Sequence, residues 1–439
     1  MSDQEALTPS SPIHLDGTTL EGGGQLLRLA LSVSSLTHIP IHVTNIRGKR
    51  GPKSAPGKGG GLKPAHLAGV QWLAGATQAE TQGMEVKSKE LVFRPRSTAI
   101  RAAREERQGE DPDRRTNNEA FCVWKEIKLH GVLIRREARV SMASPGAITL
   151  ILQAILPYLL FSSSVSVNDP RTGVPLRVTI EGGTNVSNSP SIEYVDQVLL
   201  PLLTSKLGTP PIFMTLHQRG WSTGRIEIGS ATFDISPMKP RFTIPAFKFQ
   251  ERGQLVKVHV SIIAPGAVAR SSIREQVTVQ LLAYDPEIEI VFPLDEESGG
   301  DKRMYLLLVA ETSNGYRLGR DWSQFSGSTV RAKGEKLVSK VVEDLKRELE
   351  KGGCVDEYMQ DQLVVFQALA AGVAEVDSGE GSEATLHTQT ARWVAEKVLG
   401  VKFDGEGRCK GVGFVAGEDF LGRNRTKEDA EKAMAGLQM

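Results

Sequence analysis

The stretch Leu15–Leu36, LDGTTLEGGGQLLRLALSVSSL, sets Glu21 and three consecutive glycines ahead of an apolar run with helical spacing. Glycine disfavours a helix but lets a backbone come very close to a neighbour. The pattern therefore reads as a turn whose N–H groups meet an anion at a helix start. A tight turn into a packed helix accounts for the same glycines, and the two readings stay open on this stretch alone. On either side, IHLD and IPIHVTNI read as short strands, so the whole is a strand–glycine turn–helix–strand unit.

A similar unit recurs further on. ARVSM reads as a strand, SPGAITLILQAILPYLLFS as an apolar helix opened by small residues, and LRVTIEGGT as another strand. SPSIEYVDQVLLPLLTSKLG then opens with Ser and Pro and closes on Gly, as helices do. Weakly similar repeats of this kind predict an α/β (α+β) fold whose large domain is built from repeated β-α-β-type units. From Lys239 to Asp321 the texture changes, with strands VKVHVSIIA and MYLLLVAET flanking the helix SSIREQVTVQLLA. Residues 239–321 are thus expected to form an inserted smaller α/β domain, with 12–238 and 322–439 making the large one. The segment 102–119, AAREERQGEDPDRRTNNE, is nearly devoid of large apolar residues and reads as a charged surface insertion, and residues 1–11 as a disordered tail.

Composition narrows the function classes. The 439 residues are 40% hydrophobic and 24% charged, with 53 Lys+Arg against 52 Asp+Glu, so any nucleic-acid contact must come from a local patch. Cys122, Cys354 and Cys409 form neither a CxxC pair nor a zinc-ligand array, which suits a reducing compartment. The polar N-terminus lacks the regions of a signal peptide, and AITLILQAILPYLLF is interrupted by Gln153 and Pro157 and too short to span a bilayer. A soluble intracellular protein without a membrane partner is expected.

Four places carry candidate chemistry. Glu21, Gly22–Gly24 and Arg28, one turn into the helix, combine backbone N–H groups, a cation for phosphate and a carboxylate for a divalent metal. The Gly/Pro-rich loop with Arg47, Arg50, Lys53, Lys58 and Lys63, closing on His66, suits a phosphodiester backbone and equally a solvated surface loop. Tyr358, Asp361 and Gln362 lie at i, i+3 and i+4 and share one helix face, either a ligand pocket or an exposed stripe. His387 stands just before a helix, where the N-terminal dipole favours neutral imidazole, the form that attacks phosphorus. A lone histidine is more often structural. GxxxxGK[ST], HExxH and GxGxxG motifs are absent.

In this order, these pieces resemble the RNA 3'-terminal phosphate cyclase family over nearly the whole chain. The match runs through LDG…EGGGQLLRLALSVS, NIRGKR…GLKPAHLAG, SPGAITLILQAILP, EGGTNVSNSPS, GEKLVSKVV, DEYMQDQL and HTQTARWVAEKVLGVKF. The resemblance implies ATP and a divalent metal, Mg or Mn, as cofactors and an RNA with a 3'-phosphate end as partner. It implies His387 as the nucleophile that becomes adenylylated. Gln153, Pro190, Tyr358, Met359, Gln360, Asp361 and Gln362 match nucleotide contacts, with Tyr358 stacking on adenine opposite Pro190. Arg28, Arg47, Arg50 and His66 match phosphate and RNA-end positions, and Glu21 a metal-linked acid. The family suggests a nuclear location, with the cytoplasm as the alternative.

Departures from the family pattern fall toward the RNA end. Ala65 replaces a glutamine, Ala391 an asparagine, the loop Pro52–Gly60 is longer, and Gly220–Gly229 lacks Pro-x-Gly-Gly-Gly. Two other expectations compete. A branch of the family serves ribosomal RNA maturation without cyclase activity or the nucleophilic histidine, and enolpyruvyl transferases share repeated units of this kind.

Overall fold

A computed structural model describes residues 11–50, 59–96, 124–142, 144–161, 171–324, 326–327, 329–381, 383–418 and 420–421. The expected tail, save its last residue, and the charged insertion 102–119 lie outside the described residues, as do Lys53 and Lys58.

The opening stretch folds as β1 (Ile13–Asp16), the glycine turn, α1 (Gly24–Thr37) and β2 (Ile41–Thr44), with β2 parallel to β1. α2 (Pro64–Thr77), β3 (Glu80–Gln82) and β4 (Leu91–Arg94) complete a sheet in the order β1-β2-β4-β3. The second unit starts with a hairpin of β5 (Lys125–Leu129) and β6 (Val132–Ser141). It continues through α3 (Ile148–Phe161) to β7 (Leu176–Gly182), which is parallel to β6. A composite helix, α4, joins Ile192–Tyr194, a π turn Val195–Leu199, and Leu200–Leu207, before β8 (Ile212–Gln218) and β9 (Gly229–Ile235). The sheet order is β5-β6-β7-β9-β8. Leaving out β5, both sheets run first-second-fourth-third, so the repeat read from weakly similar sequence is a repeat of topology.

A third crossover is split by the insert. β10 (Lys248–Phe249) is followed by β11 (Leu255–Ala264), α5 (Gly266–Tyr284), β12 (Glu289–Glu297), β13 (Met304–Thr312), β14 (Arg317–Gln324) and α6 (Val330–Lys351). Only then come α7 (Glu357–Leu369), β15 (Ala371–Val376), α8 (Leu386–Leu399) and β16 (Cys409–Val412). β10 pairs in parallel with β15, and β15 antiparallel with β16. The inserted sheet has the order β12-β11-β13-β14.

The expected insert bounds of 239–321 therefore shift at both ends. Arg241, Pro245 and β10 pair with Ala416, Ala371 and β15 of the large body, whereas α6 packs on β13 and β14 of the insert. The apolar stripe of α6, with Leu337, Val338, Val341, Val342 and Leu345, covers one face of that sheet together with Val258, Val260, Leu306 and Leu308. The alternate residues Tyr305, Leu307 and Val309 of β13 join the main core beside Tyr194 and Val198. Burial on both faces explains the unbroken apolar run MYLLLVA, because neither set of alternate residues meets water.

In the large body, α1 is buried along one continuous run, Gln25 to Thr37, interrupted by Arg28. It packs against α3 and α8, and α7 packs against α8. The glycine turn, the middle of α3, the first turns of α7 and the start of α8 thereby converge. No helix among the described residues is long and apolar enough to cross a membrane.

Candidate active site

Where these helices meet there is a cavity of about 540 Å³. Gln25 and Arg28 of α1, Gln153 of α3, and Tyr358, Asp361 and Gln362 of α7 form its floor and sides, and Thr385 and His387 stand where α8 begins. The remaining walls are the loop Asn185–Ser191, which includes Pro190, and Asp321, Trp322 and Tyr305 of the insert.

The aim of α7 is set by its cap. The Asp356 carboxylate accepts from the N–H groups of Tyr358 and Met359 at 2.9 Å each, from the Tyr194 hydroxyl at 2.7 Å and from the Gly319 N–H at 2.7 Å. One buried side chain thus satisfies two free helix-end donors and ties α7 to both α4 and the insert. Burial pushes its carboxyl up to about 6, against the pull of the Gly319 and Tyr194 hydrogen bonds. From this start, Tyr358, Asp361 and Gln362 face the cavity. Met359 and Gln360 do not: both are buried on the other side of α7, and Met359 belongs to the main core. Successive helical residues turn by about 100°, so their side chains leave the cavity face that Tyr358 and Asp361 share.

Charge at this end is matched. The Arg28 Nε donates to Gln153 Oε1 at 2.8 Å and its Nη2 to Gln25 Oε1 at 2.7 Å. Burial lowers the Arg28 pKa to about 10, while Asp361 and Glu21 work against the fall. Burial likewise raises the Asp361 carboxyl, opposed by Arg28 and then by His387, and Gln362 donates to it at 3.2 Å. Pro157 explains part of α3, because it has no N–H to give the carbonyl of Gln153, four residues earlier. The Tyr358 ring meets Tyr194 edge-on at 5.9 Å, and the Arg320 guanidinium lies 4.6 Å from its centroid. Arg320 is itself held by Glu348 and Glu357 at 3.0 Å each. The Pro190 carbonyl is fixed by the Thr149 hydroxyl at 2.6 Å. His387 is exposed in the first turn of α8, behind the cap in which Thr385 accepts from the Thr388 N–H at 3.1 Å.

A second group of residues adjoins this cavity at the α1 start. The Glu21 N–H donates to Thr390 Oγ1 at 3.1 Å, which fixes the turn to the His387 helix. A Cβ on Gly23 would fall 2.1 Å from the Glu21 carboxylate, and one on Gly24 would fall 2.7 Å from both Arg28 Nη1 and His66 Nε2. The ends of Glu21, Arg28 and His66 lie close against this bare backbone. Arg47 donates to the Gly61 carbonyl at 3.4 Å, and Arg50 pairs with one oxygen of Glu21. Burial first, and then Arg28, Arg47 and Lys63, lower the His66 pKa to about 3, so the ring is neutral at physiological pH. Arg47 and burial also lower Lys63. Positive charge here exceeds its partners, the condition of an anion site.

The second Glu21 oxygen, Oε2, is buried and has no hydrogen-bond partner. No group of three or more His, Cys, Asp or Glu suited to a metal occurs among the described residues. One carboxylate completed by substrate phosphates is a usual way to hold Mg²⁺, so this donor set fits a divalent ion.

Several residues of the site carry no sequence signal. Arg320, Asp321 and Trp322 sit in none of the motifs quoted above. Behind the cavity wall, Arg219 donates to Asn185 Oδ1 at 3.2 Å, to Glu193, and bidentately to Glu296 of the insert at 2.5 and 2.7 Å. Gly220–Gly229 closes on itself through a bridge of Trp221 with Glu227, and the insert's Arg303 reaches Glu227 at 3.2 Å.

Fold and site together define an α/β protein with an open, hydrogen-bonded pocket beside a basic phosphate-type corner. The family model described as RNA 3'-terminal phosphate cyclase matches residues 19–404, and the chain belongs to that family. It is similar to the RNA 3'-terminal phosphate cyclase of Pyrococcus abyssi, 28% identical over 92% of this chain and 98% of the relative. The Drosophila melanogaster protein of the same name is 29% identical over 92% and 97%, and that of Nitrosospira multiformis 30% over 89% and 92%.

Proposed function

We propose that the chain is an ATP-dependent RNA 3'-phosphate cyclase acting through His387. The observation that carries this reading is the joint placement of a histidine at a pocket of nucleoside size and a corner with unmatched positive charge. ATP lies with its base against Tyr358 and Pro190, and Gln153, Asp361 and Gln362 hold the nucleotide. An imidazole nitrogen of His387 attacks the α-phosphorus, forming a P–N bond as pyrophosphate leaves. The RNA 3'-phosphate, held by Arg28, Arg47, Arg50 and neutral His66, then takes the adenylyl group and frees the histidine. The neighbouring 2'-hydroxyl attacks the activated phosphorus, loses its proton, and expels AMP. Activation is needed because a phosphomonoester dianion is a poor electrophile without a good leaving group. Glu21 would hold the divalent ion, which supplies charge neutralisation to the phosphates when bound.

The test is an RNA ending in 3'-phosphate incubated with ATP and either Mg²⁺ or Mn²⁺. The end is expected to become resistant to phosphatase and to be opened again by acid, while a 3'-hydroxyl RNA stays unchanged. A 3'-phosphate that remains phosphatase-sensitive with both metals contradicts the reading and favours a scaffold role in ribosomal RNA maturation.

A further inference from the structure

Asp321, Trp322 and Ser323, consecutive residues of β14, all line the cavity. Successive side chains of a strand point to opposite faces, so a cavity that meets three in a row meets the main chain at the strand's edge. β14 is the outermost strand of the insert's sheet and pairs with β13 alone.

The ladder decides which main-chain groups that edge presents. Residue pairs of an antiparallel ladder alternately turn their N–H and C=O toward the partner strand and away from it. The hairpin closes with the Thr312 N–H donating to the Tyr316 carbonyl at 3.0 Å, so that pair faces inward. The register continues without a shift through Val309–Gly319, Leu307–Asp321 and Tyr305–Ser323, and by alternation each of these pairs faces outward. Gly319 agrees: its N–H leaves the sheet and meets Asp356 Oδ2 at 2.7 Å, at the start of α7. Beyond Gly319, nothing among the described residues meets the main-chain groups of Asp321 or Ser323 on this open side.

The open edge stands beside the slot between Pro190 and Tyr358. Ser191 Oγ and the Tyr305 hydroxyl are 2.6 Å apart, and Tyr305 donates to Asp321 Oδ2 at 3.1 Å, which ties β14 to the residue after Pro190. Toward α7, the Arg320 guanidinium lies 4.6 Å from the Tyr358 centroid, and burial, then the Asp321 carboxylate, raise the Tyr358 phenol. Unpaired main-chain donors and acceptors on a strand edge are ready to pair with whatever lies against them.

We infer that the free edge of β14 reads the purine: the Asp321 carbonyl accepts from the amino group of adenine, and the Ser323 N–H donates to the ring nitrogen beside it. Hypoxanthine and guanine carry a carbonyl oxygen and a ring N–H in those places, which sets acceptor against acceptor and donor against donor. The inference rests on the ATP reading and extends it, since the choice of base then belongs to the main chain of the inserted domain.

The test uses the full chain in a His387→Ala background, where nucleotides bind without covalent reaction. ATP and inosine triphosphate, each with Mg²⁺, are titrated by calorimetry. ATP is expected to bind at least about tenfold tighter, because the analogue reverses both hydrogen bonds. Ser323→Pro removes the N–H, a change an edge strand tolerates where that group faces away from the ladder. It should weaken ATP about tenfold and shrink the preference for ATP at least about threefold. Ser323→Ala retains the N–H and should retain the parent's preference. Equal affinity for the two nucleotides in the parent overturns the inference. A folded Ser323→Pro chain with the parent's preference overturns it too, as does a preference lost in Ser323→Ala, which would assign the reading to the hydroxyl. If Ser323→Pro does not fold, the parent's preference and Ser323→Ala decide. If ATP neither binds the parent nor labels wild-type protein, the ATP reading itself fails. Failure of base selection alone leaves both of those signals intact.

Discussion

The two ends of the site treat charge in opposite ways. At the nucleoside end cations are answered by acids: Arg320 lies between Glu348 and Glu357, and Arg28, at the junction of the two ends, is held by Gln25 and Gln153 and feels the Asp361 carboxylate. At the other end Arg47, Arg50, Lys63 and His66 gather around one carboxylate, Glu21; the surplus depresses Lys63, and burial, aided by the same cations, keeps His66 neutral. A matched end suits an uncharged nucleoside. An end with surplus charge suits phosphates, which restore the balance on binding.

The contrast can be broken from either side. The largest effect is expected at the junction of the two ends. His387→Ala should lower RNA cyclisation at least about a thousandfold while changing ATP affinity only a few-fold, because a nucleophile acts in the reaction rather than in ground-state binding. Turnover and calorimetry on the same preparation check both halves. Next comes Arg28→Ala, which leaves Asp361 buried without its cation. Unfolding by denaturant should show a loss of about 1–3 kcal/mol, the cost of leaving the buried Gln25 and half-buried Gln153 carbonyls without their donor. An equal loss on removing a cation of the surplus end would erase the distinction.

His66 gives an effect of comparable size with a defined sign. Its pKa is about 3 in the folded chain against 6.5 for the ordinary side chain, so between these values the unfolded chain binds the extra proton. Stability therefore rises with pH through that window and is lost as pH falls from 6.5 toward 3. Between about pH 7 and about pH 5 the wild type should lose about 2 kcal/mol more than His66→Gln does, measured by denaturant unfolding at each pH. An identical pH slope in both proteins would mean that His66 is not held neutral. The smallest effect belongs to Lys63→Ala. It should leave stability within about 0.5 kcal/mol, weaken 3'-phosphate RNA a few-fold, and flatten the salt dependence of binding.

The ends also differ in how far the sequence revealed them. The polar face of α7 was readable because Tyr358, Asp361 and Gln362 obey the helical repeat. The same repeat shows why the contiguous motif overreaches at Met359 and Gln360, since five successive residues sweep past a full turn. The glycines of the α1 start signalled a close approach, but not that the crowding groups would be Glu21, Arg28 and His66. The insert's edges were obscure for a local reason: β10 has two paired residues and no strand signal, and the apolar stripe of α6 matches either domain. Asp321 and Tyr305 reach the site through tertiary packing across the insert boundary, which no spacing along the chain encodes.

The central claim is that His387 carries the adenylyl group, and one measurement addresses it without RNA. Wild-type protein and His387→Ala are incubated with α-labelled ATP and Mg²⁺ or Mn²⁺, denatured, and separated on a gel. The account predicts acid-labile label on the wild-type chain and none on His387→Ala. Folded wild-type protein that takes no label with either metal, or His387→Ala labelled as strongly as wild type, would contradict it.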